Sequence, residues 1–194
     1  MDKIKTAYEI AMERASKLKE VPQEEIDKME YIPKGKHIGA IYLHDKNIDI
    51  LKELNKYPEM YRSYIIEGIQ ESLLQNLHLP FDKSAYEIND KVKSGLLAIK
   101  KNKNALKEIF RQIDHLFNYY EQTISQAYLQ FKENYSMHLK ESVKAVEKKL
   151  GTRVKIDPEK QPGFHDEWVR FASHINSQYE KILQEQKNFI RQIK

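Results

Sequence analysis

Apolar positions recur at three- and four-residue steps along most of the chain, a spacing that predicts helices. Over residues 3–19, Ile4, Ala7, Tyr8, Ala11, Ala15 and Leu18 share one face. A short helix is expected after Pro22, with Ile26 and Met29 on one side, and Pro33 and Gly35 are expected to end it. The stretch His37–Asp45 fits either a strand or a helix. Asp45 is the expected cap of a helix bearing Ile48, Leu51 and Leu54. Pro58 suits the first turn of the next helix, in which Tyr61, Ile65, Ile69, Leu73 and Leu77 step by four until Pro80 stops it. Ser84 with Glu87 fits a capping box, opening a helix through Ile88, Val92, Leu96 and Ile99.

From Ala105 to Leu150 the chain has neither glycine nor proline, and one long helix is predicted. Its stripe runs Leu106, Phe110, Ile113, Phe117, Tyr120, Ile124, Ala127, Phe131, Tyr135, Leu139, Val143, Val146, Leu150. The steps follow a heptad rhythm as far as Phe131. Extra steps of four then unwind the left-handed supercoil, leaving a nearly straight helix of about 69 Å. Gly151 is placed as its C-terminal cap, TRVKID at 152–157 as a short extended segment, and Asp166 as the cap of a last helix. That helix carries Trp168, Ala172, Ile175, Tyr179, Ile182, Gln186, Phe189 and Ile193. A short connection makes the two helices antiparallel.

The fold class expected is therefore all-α: a long, coiled-coil-like antiparallel helical hairpin over 83–194 with a smaller helical cluster, 1–82, packed at one end as part of one cooperative unit. Pairing outward from Gly151 would exhaust the last helix near residue 122. Residues 105–121, with a wide apolar face, would then need cover from Ile65, Ile69 and Leu73. As a core residue, Phe131 changed to Ala should cost about 3–5 kcal/mol.

Composition narrows the chemistry. There is no cysteine, so disulfides, Cys-ligated metals and thiol nucleophiles are excluded. The opening residues include Asp2, Glu9 and Glu13, no apolar run approaches a membrane span, and a cytoplasmic protein is expected. The net charge of +4 is spread along the chain. None of the seven histidines has a second histidine or a carboxylate four residues after it or three before it, apart from His78 with Asp82, which Pro80 separates. No nucleotide loop or nucleophile motif is present; GKHIG at 35–39 is the nearest approach to a phosphate loop and reads better as a turn. No catalytic residue, metal or cofactor is assigned.

Two groups of residues remain as candidates. Lys100, Lys101, Lys103, Lys107 and Arg111 form the most basic stretch, near an expected turn, and make a possible polyanion site. Lys140, Lys144 and Lys148 add a stripe farther along the long helix, so that 91–111 and 140–149 are the surfaces a nucleic acid would use. Tyr119 and Tyr128 flank the apolar stripe, where aromatics pack against another helix or a partner.

The segments KIKTAYEIAMERA and PKGKHIGAIYL, within residues 1–45, resemble the opening of uncharacterised bacterial helical proteins that begin with a similar lysine-rich helix. The resemblance implies no activity and transfers no site residue. The function expected is a non-catalytic scaffold or adaptor acting through a protein partner or a second copy of itself. A nucleic-acid-associated protein and an enzyme with its site in the N-terminal cluster are the alternatives.

Overall fold

The computed structural model describes residues 21–45, 47–150 and 157–193, without the side chains of 141–150. The helix expected over 3–19, the cap at Gly151, the segment 152–156 and the side chains of Lys144 and Lys148 lie outside the described residues. Six α-helices are described: α1 (Gln23–His44), α2 (Ile50–Asn55), α3 (Arg62–Gln75), α4 (Lys83–Ile99), α5 (Lys103–Leu150) and α6 (Phe164–Gln192). Single 3-10 turns stand at Glu59–Tyr61 and Pro158–Lys160, and the described residues contain no strand. The fold is all-α, and the chain divides into two compact units, Met1–Ser72 and Leu73–Lys194.

In the first unit, α1 runs unbroken through Pro33, Gly35 and the ambiguous 37–45 stretch, where a stop was expected. Proline removes one backbone donor and leaves the carbonyl four residues back unpaired. Here that carbonyl belongs to Met29, and Pro33 and Met29 are both exposed, so water can serve it. Gly35 and Gly39 are not a turn. They form the notch through which α3 crosses α1. A Cβ on Gly35 would stand 2.1 Å from the Ile65 carbonyl oxygen, and one on Gly68 would stand 2.1 Å from that of Ile32. One turn later, Gly39 meets Ser72, where a Cβ would lie 2.7 Å from the serine Cβ. The two backbones touch directly, and each glycine presents an α-hydrogen to the other helix's carbonyl.

Around this crossing Ile38, Leu43, Ile50, Leu54, Ile65 and Ile69 are buried, while Ile26, Met29 and Leu51 are exposed. Tyr31 stacks on Tyr61 with centroids 4.0 Å apart, and the Lys34 ammonium lies over the Tyr31 ring. The cap of α2 is Asp49 rather than Asp45: its carboxylate accepts from the Leu51 and Lys52 amides. Asp45 instead accepts from the Asn47 amide in a local turn. The sequence offers two aspartates four residues apart, and the later one is adjacent to the first helical residue.

In the second unit, α4 is capped by Asp82, not Ser84; the Asp82 carboxylate takes both the Ala85 amide and the Ser84 hydroxyl. Asn89, buried on α4, holds the preceding segment by accepting from the His78 amide and donating to the His78 carbonyl. Val92, Leu96 and Ile99 of α4 are buried, as are Leu106, Phe110, Ile113, Leu116, Phe117 and Tyr120 of α5. Lys93 ties the two helices together through Asp114.

The hairpin of α5 and α6 forms as expected, in a different register. Tyr120 donates to Asn176, Thr123 and Tyr179 share a hydrogen bond of 2.8 Å, and Lys100 donates to the carbonyl of Ile193. The last helix therefore pairs with residues 100–135, and 105–121 are not left without it. The connection, rather than turning back at Gly151, returns to the middle of α5. Glu159 accepts from the Tyr128 hydroxyl (2.7 Å) and from the Lys132 ammonium (2.6 Å). Gly163 then turns the chain with φ of 90° and opens α6, the place expected for Asp166. Phe164 packs against Tyr128, Phe131 and Tyr135.

This docking also moves the buried stripe of α6. Phe164, Ala172, Leu183, Lys187 and Ile190 are buried, whereas Ile182 and Phe189, expected in the core, are 43% and 52% exposed. The predicted stripe advances by seven residues in two turns, which lags an ideal helix by about 20° per heptad. By the last two turns the residues one position later face the core.

Two outcomes follow. Gly68→Ala and Gly35→Ala should each destabilise the first unit by about 3 kcal/mol or more, because backbone must move. Gly39→Ala should cost less, since its overlap, 2.7 Å to the Ser72 Cβ against 2.1 Å to a carbonyl oxygen, needs a smaller separation of the two helices. Chemical denaturation of the three variants checks that order. Phe131 is only half-buried, against the expectation, although four rings surround it. Phe131→Ala should therefore cost about 2 kcal/mol, short of an enclosed phenylalanine, and a loss above about 4 in the same measurement would show an enclosed site.

Candidate functional site

The basic candidates do not form one surface. Lys100 follows α4, is buried, and spends its ammonium on the Ile193 carbonyl at the end of α6. A cation suits that place, where helix carbonyls lack partners and the dipole is negative. Burial also holds its pKa below the ordinary lysine value. Lys100 is therefore not available to a polyanion, contrary to the expectation. Arg111 pairs with Glu108 at 2.8 Å. Lys101, Lys103 and Lys107 are exposed. Lys103, Lys107 and Arg111 follow one another at four-residue steps along one side of α5.

The tyrosine pair separates as well. Tyr128 is engaged by its own chain: its hydroxyl is bonded to Glu159 and its ring meets Trp168 edge-on at 5.0 Å. The hydrogen bond to Glu159 raises the phenol's pKa. Tyr119 is 65% exposed, and of its backbone the carbonyl accepts weakly from Tyr179.

Sequence reasoning missed a surface that begins two turns before Tyr119 on the same side of α5. Ala105, Ile109 and Gln112 of α5, with Phe189, Gln192 and Ile193 of α6, line an open groove of about 750 Å³. Earlier on α6, the exposed Ile182, the half-buried Ile175 and the exposed Phe171 fall by helical spacing on the same side as Phe189. Ile175, Ile182 and Phe189 are seven residues apart, so they keep one side of the helix. The signal was in the sequence as the heptad stripe. Its assignment to the core hid it.

Behind this edge the docking of α6 is imperfect. Between the buried Leu183 and Ile190 stands Lys187, also buried. Burial pushes its pKa below the ordinary 10.5, opposed by Glu180 and reinforced by Arg191. The neighbouring Gln186 has a buried side-chain oxygen without a hydrogen-bond partner among the described residues. The Tyr120 hydroxyl, its pKa pushed up to about 12 chiefly by burial, donates a hydrogen bond to the Asn176 side-chain oxygen.

In the first unit a shallow cleft of about 570 Å³ is lined by His37, Ala40, Ile41, His44, Asp45 and Asn47. Among the described residues no three of His, Asp and Glu converge as metal ligands would. No helix of the described residues is long and apolar enough to cross a membrane.

Residues 51–192 match the model of a family of unknown function, DUF6657. The chain belongs to the DUF6657 family. The match takes in all of α4, α5 and α6, and so every residue lining the groove except Ile193. It lies wholly outside residues 1–45, which carry the resemblance to bacterial helical proteins. No curated protein and no solved structure matches the chain.

Lys187 offers a test of the α6 docking. Its lowered pKa means that the unfolded chain binds more protons between the folded value and 10.5, so stability rises with pH across that window. Lys187→Met should raise the unfolding midpoint by a few degrees at pH 7, at about 2–4 °C per kcal/mol. It should also abolish that part of the rise with pH. Thermal melts of parent and variant from pH 7 to 10 read both, and an unchanged or lower midpoint would show the ammonium to be well served.

Proposed function

We propose that this DUF6657 protein is a non-catalytic helical scaffold or adaptor that binds another protein chain along the groove face of α5 and α6. One observation carries the reading: Phe189 stands 52% exposed in the groove, with Ile182, 43% exposed, two turns before it on the same side of α6 and Tyr119, 65% exposed, two turns beyond Gln112 on the same side of α5. Contiguous apolar faces of this kind mark interaction sites more often than solvated surface. Each half-exposed ring or branched chain still offers on the order of 100 Å² to bury, or about 2 kcal/mol. Three such anchors are enough for a specific interface if they are removed from water together. The basic side of α5 supports the polyanion alternative less well, because Lys100 is buried and Arg111 already has an acidic neighbour.

A photo-reactive phenylalanine placed at position 189 should cross-link to protein in the cells that make this chain, and one placed at the exposed position 107 should not. Equal yields from both positions, or none from 189, would sink the reading.

A further inference from the structure

We infer that the chain seated on this face is a second copy of the same protein, with α6 packed antiparallel on α6 about a two-fold axis. The inference rests on the proposed function and names its partner. Three features support self-recognition. First, Ile175, Ile182 and Phe189 repeat every seven residues on a side of α6 that α5 leaves open. A sustained heptad edge is complemented by another helix of the same period, and α6 is such a helix.

Second, the charges beside the edge are complementary to themselves. Lys181 and Glu185 are both exposed and bracket Ile182. Their spacing of four would allow an ion pair along the helix, and none forms between them among the described residues. In an antiparallel pair, a two-fold axis level with position 183 leaves the two Ile182 side chains offset by only about 3 Å along the helices, within contact of each other. The same axis sets Lys181 of each copy level with Glu185 of the other. Two reciprocal ion pairs then flank an apolar centre, which fixes both direction and register.

Third, the face is shared by two helices. Ala105 and Ile109 of α5 line the groove together with Phe189 of α6, and the exposed Tyr119 stands farther along the same side of α5. Two hairpins joined face to face make a four-helix arrangement, in which every long helix gains an apolar neighbour.

Light scattering on the purified full chain, at about 5 to 100 µM, tests this. The parent is expected at twice the chain mass. Ile182→Asp should run at the monomer mass while keeping the parent's helical circular dichroism. Glu185→Lys should weaken the dimer about tenfold or more, and Lys181→Glu with Glu185→Lys in the same chain should restore it. Restoration separates paired charges from a general effect of charge on solubility. A parent that stays monomeric throughout overturns the inference, as does a dimer indifferent to both Ile182→Asp and the charge reversal. The photo-reactive residue at 189 then separates the two failures. Cross-links to a different protein retire the second copy and leave the scaffold reading standing, whereas no cross-link to any chain retires both.

Discussion

The register of α6 against α5 governs what the second unit buries and what it presents. It is set at two ends. At one, Glu159 is held between Tyr128 and Lys132, and Phe164 drops among the rings around Phe131. At the other, Lys100 holds the carbonyl of Ile193. Slide the helix by one residue and Ile182 would take the place of Leu183, Phe189 that of Ile190. The apolar edge would vanish into the core. The interaction face is therefore a product of these anchors as much as of the residues on it.

The helices of the second unit were legible. Periodicity identifies which residues share a side, and the long proline-free stretch marked α5 to within two residues at its start. Periodicity does not identify the partner or the register. The stripe of α6 was read correctly as a row and wrongly as a core row, because a strict seven-residue repeat drifts around a straight helix. The hairpin was folded at Gly151 on the strength of a single glycine. The bond from Tyr128 to Glu159 that places the connection joins residues 31 apart in the chain, and no local pattern announces it. Of the candidate site residues, Tyr119 stands on the exposed face, while Lys100 and Tyr128 proved to be structural, each through a partner distant in sequence.

The first unit makes the same point with glycine. Gly35, Gly39 and Gly68 were indistinguishable from turn residues by type alone. Their use is tertiary: they let two helix backbones meet where any side chain would hold them apart. With Pro33 on the solvent side of the same helix, two residues that ordinarily end a helix serve one that continues.

The aromatic anchor of the hairpin contains the chain's one tryptophan. Trp168 lies 5.0 Å from the Tyr128 ring, 5.6 Å from that of Phe131 and 6.0 Å from that of Phe171, while the Lys100 anchor stands at the far end of α6. Indole emission therefore reports on one anchor alone. Fraying of the last turns of α6 would leave that light unchanged, whereas release of the Glu159 connection would shift it toward the red. The molecule thus carries a built-in optical gauge that distinguishes which end of its hairpin opens first.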